Sequence, residues 1–305
     1  MGQIFLNTFS QTLLLFIFML TGFLLKRRKL LPDNSAQVLS KLEMLVILPA
    51  LNYKVFAANF NRAVLREMGG TMLWGLVLLS IVFALALLLS RFFAKDRNTR
   101  DIYTYSFTIP NYGYVGYALM AALYGETMLF RMMIFVLPIS VFTYTIGMYL
   151  LLPYKTITWK RLLNPSFLGI LLGLLVGLFE IPMPAVITQA SASASACMAP
   201  LAMILTGFVI GSRQIKTLLT DTKVYIACAF RLLILPGLAL ILFRMIPVPR
   251  ELAIIVVVYL SMPMGLNTIV FPESAGADSS VGAKMALISN VAGLFTIPLM
   301  LSLLG

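Results

Sequence analysis

The 305-residue sequence has no histidine, only two cysteines, and just 11% charged residues. Without histidine there is no Ser-His or Cys-His catalytic pair, and the commonest general base and zinc ligand are missing. Cys197 and Cys228 stand apart in apolar stretches. Two isolated thiols do not complete a tetrahedral zinc site and read as small buried apolar side chains. Eleven acids, most of them between apolar runs, leave little from which to build a carboxylate-based active site. No Gly-rich phosphate loop of the Walker type appears, so ATP-driven work by this chain is unsupported. No metal or cofactor is expected, and no enzymatic activity.

Apolar residues fill the space, at 60% of the chain with a mean hydropathy of +0.96. A helix crosses a bilayer with about 20 apolar residues. Ten such runs can be read between the polar clusters, at about 12–25, 39–56, 72–90, 103–124, 129–153, 167–179, 196–211, 224–243, 252–271 and 285–304. They leave no room for a separate soluble domain. The first run is followed, not preceded, by Lys26-Arg27-Arg28-Lys29, the reverse of a signal peptide. With the N-terminus outside, sixteen basic residues fall in cytoplasmic segments, Arg97, Lys155, Lys160, Arg161 and Lys216 among them. Six fall outside, and only Arg231 lies well away from the ends of a run. That asymmetry obeys the positive-inside rule. Both termini are therefore expected outside an inner, cytoplasmic membrane. The net charge of +12 is a topology signal, and no nucleic-acid partner is expected beside the membrane lipid.

Two of the runs carry the same interruption. Pro110, Asn111, Gly113 and Gly116 fall inside the fourth, and Pro263, Gly265 and Asn267 inside the ninth. Proline removes a helical hydrogen bond and crowds the preceding turn, and glycine tolerates the unwinding that follows. The prolines are 153 residues apart, about half the chain. An offset of five runs reverses direction across the membrane. The expected fold is thus an all-α polytopic membrane protein: a 5+5 inverted repeat, residues 1–155 and 156–305, with helices four and nine broken. Matching broken helices in two halves point to the binding site of a secondary transporter.

At these residues the chain resembles the auxin efflux carrier family of the bile-acid, arsenite and riboflavin transporter superfamily, and within it the bacterial malate and malonate permease-like members. The resemblance covers nearly the whole chain. It rests on the small-residue helix, basic cluster and polar linker from Gly22 to Leu42, and on Leu-Pro-Ala within Val46 to Phe56. It continues with Asn111-Tyr-Gly-Tyr-Val-Gly116, with Pro200-Leu201 followed by Gly207, and with Met262-Pro263 and Asn267. The resemblance implies that helices four and nine cross at their breaks, that a transport unit moves against a scaffold, that substrate sits at the crossing, and often a homodimer. Two positions depart from the pattern: Ala118 stands where a proline is usual, and Pro272-Glu273 where small residues are usual.

Asn111 and Asn267 are the leading candidates for substrate contact, since an amide binds a carboxylate without the cost of burying a charge. The alternative is that each amide satisfies backbone groups freed by the break. Pro110, Tyr112, Gly113, Pro263 and Gly265 shape the same place, and Asn52, three after Pro49, is a further candidate. Tyr112 either touches the substrate or fills space beside Gly113. Arg231 serves as counter-charge or as structure, and Glu43, the one acid inside a run, is a candidate for proton coupling. Together these point to a secondary transporter of a small organic anion, such as a dicarboxylate or an indole carboxylate. A channel would show a continuous polar stripe, and a membrane-embedded enzyme a convergent set of acids; the runs show neither outside the breaks. The sequence does not name the substrate, its direction or its coupling ion.

Overall fold

The computed structural model describes residues 2–153, 164–214, 218–274 and 277–304. The expected boundary at 155/156 and Lys155, Lys160, Arg161 and Lys216 lie outside these residues. The described residues are helical, with one isolated antiparallel bridge and no longer strand pairing among them. In lipid every backbone group must be satisfied within the protein, and helices do this segment by segment.

Among the described residues six helices are long and apolar enough to cross a membrane: Gly2–Arg27, Met68–Phe93, Tyr112–Leu151, Ala185–Gly211, Thr222–Met245 and Ser280–Leu304. The third of these is divided at Gly125, where φ of 82° and ψ of 176° take the backbone out of the helix. Glycine adopts this conformation without the Cβ clash that other residues meet. The first expected run, 12–25, belongs to the longer helix α1, Gly2–Arg27. The second consists of α2, Ser35–Leu42, a π-turn, Glu43–Ile47, and α3, Leu48–Asn59. There follow α4, Arg62–Phe93, α5, Arg97–Thr108, a π-turn, Tyr112–Gly116, and α6, Tyr117–Phe142. A third π-turn, Thr143–Gly147, leads into α7, Met148–Leu151.

Beyond the undescribed 154–163 lie α8, Pro165–Leu178, α9, Ala185–Ala196, and α10, Met198–Gly211. The rest is α11, Thr222–Ala229, a π-turn, Phe230–Ile234, and α12, Leu235–Met245, then α13, Arg250–Ser261, α14, Asn267–Ser274, and α15, Ser280–Leu304. Two of the π-turns have a local cause. Pro49 and Pro236 lack an N–H, and their rings crowd the carbonyls of Leu45 and Leu232, so the turn before each proline widens.

Small residues set the packing. On α8, Gly169, Gly173 and Gly177 recur every four residues and lie against Pro49, Phe56 and Phe60 of the α3 segment, so closely that a Cβ would strike backbone or side chain. Gly207 of α10 meets the backbone of Met19, and Gly22 of α1 meets that of Ile204. Dispersion between closely approached backbones holds membrane helices together where lipid removes the hydrophobic advantage. α4 packs on α5 and α6, and α15 on α1, α11 and α13. Leu14, Ile17, Leu73, Ile81, Leu172 and Leu175 face outward, as a lipid-facing surface requires. Polar caps start helices outside the apolar band. Asp96 accepts from the Thr99 amide at 2.8 Å, which holds its carboxyl below the ordinary value, and Asn164 accepts from Phe167 at 3.0 Å.

Candidate functional site

The two interruptions touch. α5 ends at Thr108, and the chain runs extended through Ile109 before it re-enters a helical turn at Tyr112. α13 ends at Ser261, and Met262 is extended before α14 begins at Asn267. Pro110 and Met264 form the isolated antiparallel bridge, and the Asn111 backbone N–H donates to the Pro263 carbonyl at 2.7 Å. Gly265 allows the approach: a Cβ there would lie 3.3 Å from the Ile109 carbonyl oxygen. Gly113, by contrast, faces open space.

Breaking two helices inside the protein frees backbone groups, and each set has a partner. The Tyr259 hydroxyl donates to the Thr108 carbonyl at 3.1 Å, at the end of α5. Arg231 donates to the carbonyls of Leu260 at 3.0 Å and Tyr259 at 3.3 Å, at the end of α13. Its positive charge sits where the helix dipole is negative. The Ser289 hydroxyl accepts from the Met264 amide at 3.0 Å. The ends of α5 and α13 are thus neutralised from within. The other two half-helices, starting at Tyr112 and Asn267, begin beside a cavity.

That cavity has a volume of about 560 Å³, within the range of small-molecule sites. Of the ten sequence candidates, Asn52, Pro110, Asn111, Tyr112, Gly113, Gly265 and Asn267 line it; Pro263, Arg231 and Glu43 do not. Pro263 still contributes the carbonyl that holds Asn111 in place. Among the described lining residues none carries a formal charge. Polarity comes from asparagines, hydroxyls and two half-helix N-termini, the positive ends of their helix dipoles.

The asparagines differ in how they are held. Asn267 donates to the Tyr105 hydroxyl at 2.9 Å, and Asn52 donates to the Ser166 hydroxyl at 2.7 Å and carbonyl at 3.0 Å. Asn111 is 2% exposed, yet neither its side-chain oxygen nor its nitrogen has a partner. Buried polar atoms are nearly always paired, which sets this side chain apart from the other asparagines of the cavity wall. Tyr112 shares a hydrogen bond of 3.1 Å with Ser140 and packs its ring on Tyr117 and Tyr259. Sequence reasoning did not single out Tyr105, Tyr259, Ser140 or Ser166 as partners. Their separations run from 28 residues for Ser140 and Tyr112 to 162 for Tyr105 and Asn267, and none has a local signal.

A chain of packed helices with two interrupted segments meeting beside a cavity is an arrangement that suits a membrane transporter. The protein belongs to the family described as Membrane transport protein, which matches residues 8–156 and 153–301. A search of curated proteins gives no significant match.

Proposed function

We propose that this protein is a secondary transporter that moves a small organic anion across the cytoplasmic membrane by alternating access. Substrate binds where the two broken helices cross. The observation that carries the reading is the unpaired Asn111 amide, buried at the wall of the cavity beside two half-helix N-termini. Asn267, Asn52 and Tyr112 complete the polar lining, and Pro110, Gly113, Pro263 and Gly265 give the crossing its shape. In this reading the chain crosses the membrane ten times as two inverted five-helix halves, 1–155 and 156–305. The Gly125 break and the π-turn segments 35–59, together with the interrupted pairs α5 with the 112–124 segment and α13 with α14, support that count.

A carboxylate that binds the folded protein raises its apparent stability, by about 2.7 kcal/mol at a hundredfold excess over Kd. A panel of mono- and dicarboxylates screened against the melting temperature of purified protein is expected to give concentration-dependent stabilisation by at least one member. That compound should then show saturable counterflow in proteoliposomes. An ohmic current without counterflow would make the protein a channel instead. Turnover of lipid with neither would make it an enzyme.

The proposed orientation places both termini outside. Its support is the positive-inside bias of the sequence, and the pairing of charged groups agrees with which segments are grouped on one side. Lys26 bonds Asp33 at 2.6 Å, Lys284 bonds Asp221 at 3.2 Å and Arg27 donates to the Arg213 carbonyl at 2.5 Å, all among residues assigned to the cytoplasm. Lys54 pairs with Glu126, and Arg131 with Glu251 at 2.8 Å, all among residues assigned outside. In a background lacking Cys197 and Cys228, a cysteine at position 97 should resist an impermeant thiol reagent in intact cells and react after lysis. Labelling of intact cells at that position would reverse the assignment.

A further inference from the structure

Glu43 is the acid that the carrier reading leaves unused. It opens the π-turn Glu43–Ile47 and is 0% exposed, with both carboxyl oxygens buried and without a hydrogen-bond partner. The turn packs against α2, α3, α8, α9 and α10. Helices α8, α9 and α10 carry no titratable side chain. On α2 there is only Lys41, which is exposed. On α3 there are Tyr53 and Lys54, and Lys54 is paired with Glu126. The remaining facing group is Tyr114, which lies within electrostatic reach of Glu43 and also lines the substrate cavity. Among the described residues no cation is there to offset an ionised Glu43.

A carboxylate ion buried without a partner is strongly disfavoured, and it is relieved either by a bound cation or by a proton. Among the described residues no group of three or more acids, cysteines or histidines gathers that would hold a metal ion. A proton needs no other ligand. Glu43 also sits on a seam. Its turn packs on the α3 and α8 pair on one side, and on α10 on another; α10 in turn packs on the broken segment Tyr112–Gly116. Any shift of the broken helices against α3 and α8 changes what faces Glu43.

We infer that Glu43 is a proton-binding site beside the substrate cavity, carrying one proton with each anion. In the conformation described the carboxyl oxygen holds the proton. When the broken helices shift and admit water, the O–H bond breaks and the proton passes to water on that side; the bond re-forms with a proton taken from the other. The co-movement rests on the carrier reading above. The bound proton rests on the burial of Glu43 alone, so the two are tested separately.

Infrared difference spectra of the full chain in lipid nanodiscs at neutral pH report the carbonyl stretch of protonated carboxyl groups. The wild type should show a band from a buried protonated carboxyl. Glu43→Gln should lose it, and Glu180→Gln, which alters an exposed acid, should keep it. The same band in wild type and Glu43→Gln, or no band in the wild type, overturns the site. In proteoliposomes, labelled succinate and labelled indole-3-carboxylate are the probes, with protein-free vesicles subtracted. One proton per singly charged anion sets an accumulation of about tenfold per pH unit, ~1.4 kcal/mol per factor of ten. Wild type should respond to an inward proton gradient, and Glu43→Gln should keep counterflow and lose the response. A response that survives in Glu43→Gln, or none in a wild type with active counterflow, overturns the coupling. Absence of counterflow for every carboxylate that stabilises the protein counts against the carrier reading, and the infrared spectra then decide the proton site by themselves.

Discussion

Asn111→Ala is expected to weaken binding of a stabilising carboxylate by roughly five- to 150-fold while leaving the melting temperature close to that of the wild type. The Asn111 side chain makes no hydrogen bond within the protein, so its removal breaks none and strands no partner. What is lost is the bond to substrate. A hydrogen bond whose removal leaves the other group unpaired costs on the order of 1–3 kcal/mol, and ~1.4 kcal/mol is a factor of ten. Asn267→Ala provides the contrast. It strands the Tyr105 hydroxyl, which is fully buried, so it should lower stability as well as affinity. Melting temperature and affinity measured on the same preparations separate the two effects. Wild-type affinity in Asn111→Ala would move the substrate away from the crossing, with Asn52 the next residue to test.

Arg231→Ala should act in the opposite way, destabilising the fold by on the order of 3–5 kcal/mol with affinity unchanged in whatever protein folds. Arg231 is fully buried and donates two charge-assisted hydrogen bonds to the end of α13, each worth about 1.5–3 kcal/mol. It does not line the cavity. Removing it takes the guanidinium from the Leu260 carbonyl and leaves the Tyr259 carbonyl only the Met262 amide, at the negative end of a helix dipole. Arg231→Lys should recover part of the loss, because an ammonium lacks the planar fork that meets two carbonyls together. The check is thermal unfolding and carboxylate affinity for all three forms. Normal melting in Arg231→Ala with binding abolished would show that the guanidinium serves the substrate.

Much of this was legible along the chain because its causes are local. A bilayer demands long apolar runs, and proline and glycine disrupt a helix wherever they stand, so the interruptions at Pro110 to Gly116 and Pro263 to Asn267 showed in the sequence alone. The π-turns at Glu43–Ile47 and Phe230–Ile234 have equally local causes in Pro49 and Pro236, although apolar periodicity does not reveal a widened turn. Similarly, α1 begins well before residue 12, because polar residues such as Asn7 and Gln11 are tolerated on a helix without showing in an apolar count.

Sequence by itself determined that this is a helical membrane protein with no histidine chemistry and no charged stripe, and that two interruptions half a chain apart carry asparagines. Only the tertiary structure decided what each polar residue does. Asn111 and Asn267 look equivalent as residue types beside a break, yet one is unpaired at the cavity wall and the other bonds Tyr105. Arg231 reads equally as a counter-charge or as structure until its guanidinium is seen on the carbonyls of α13. The reason is physical. Apolar runs and helix breaks follow from each residue and its near neighbours, whereas the partner of a buried polar group is set by which helices pack together, and that brings residues more than a hundred positions apart within hydrogen-bond reach.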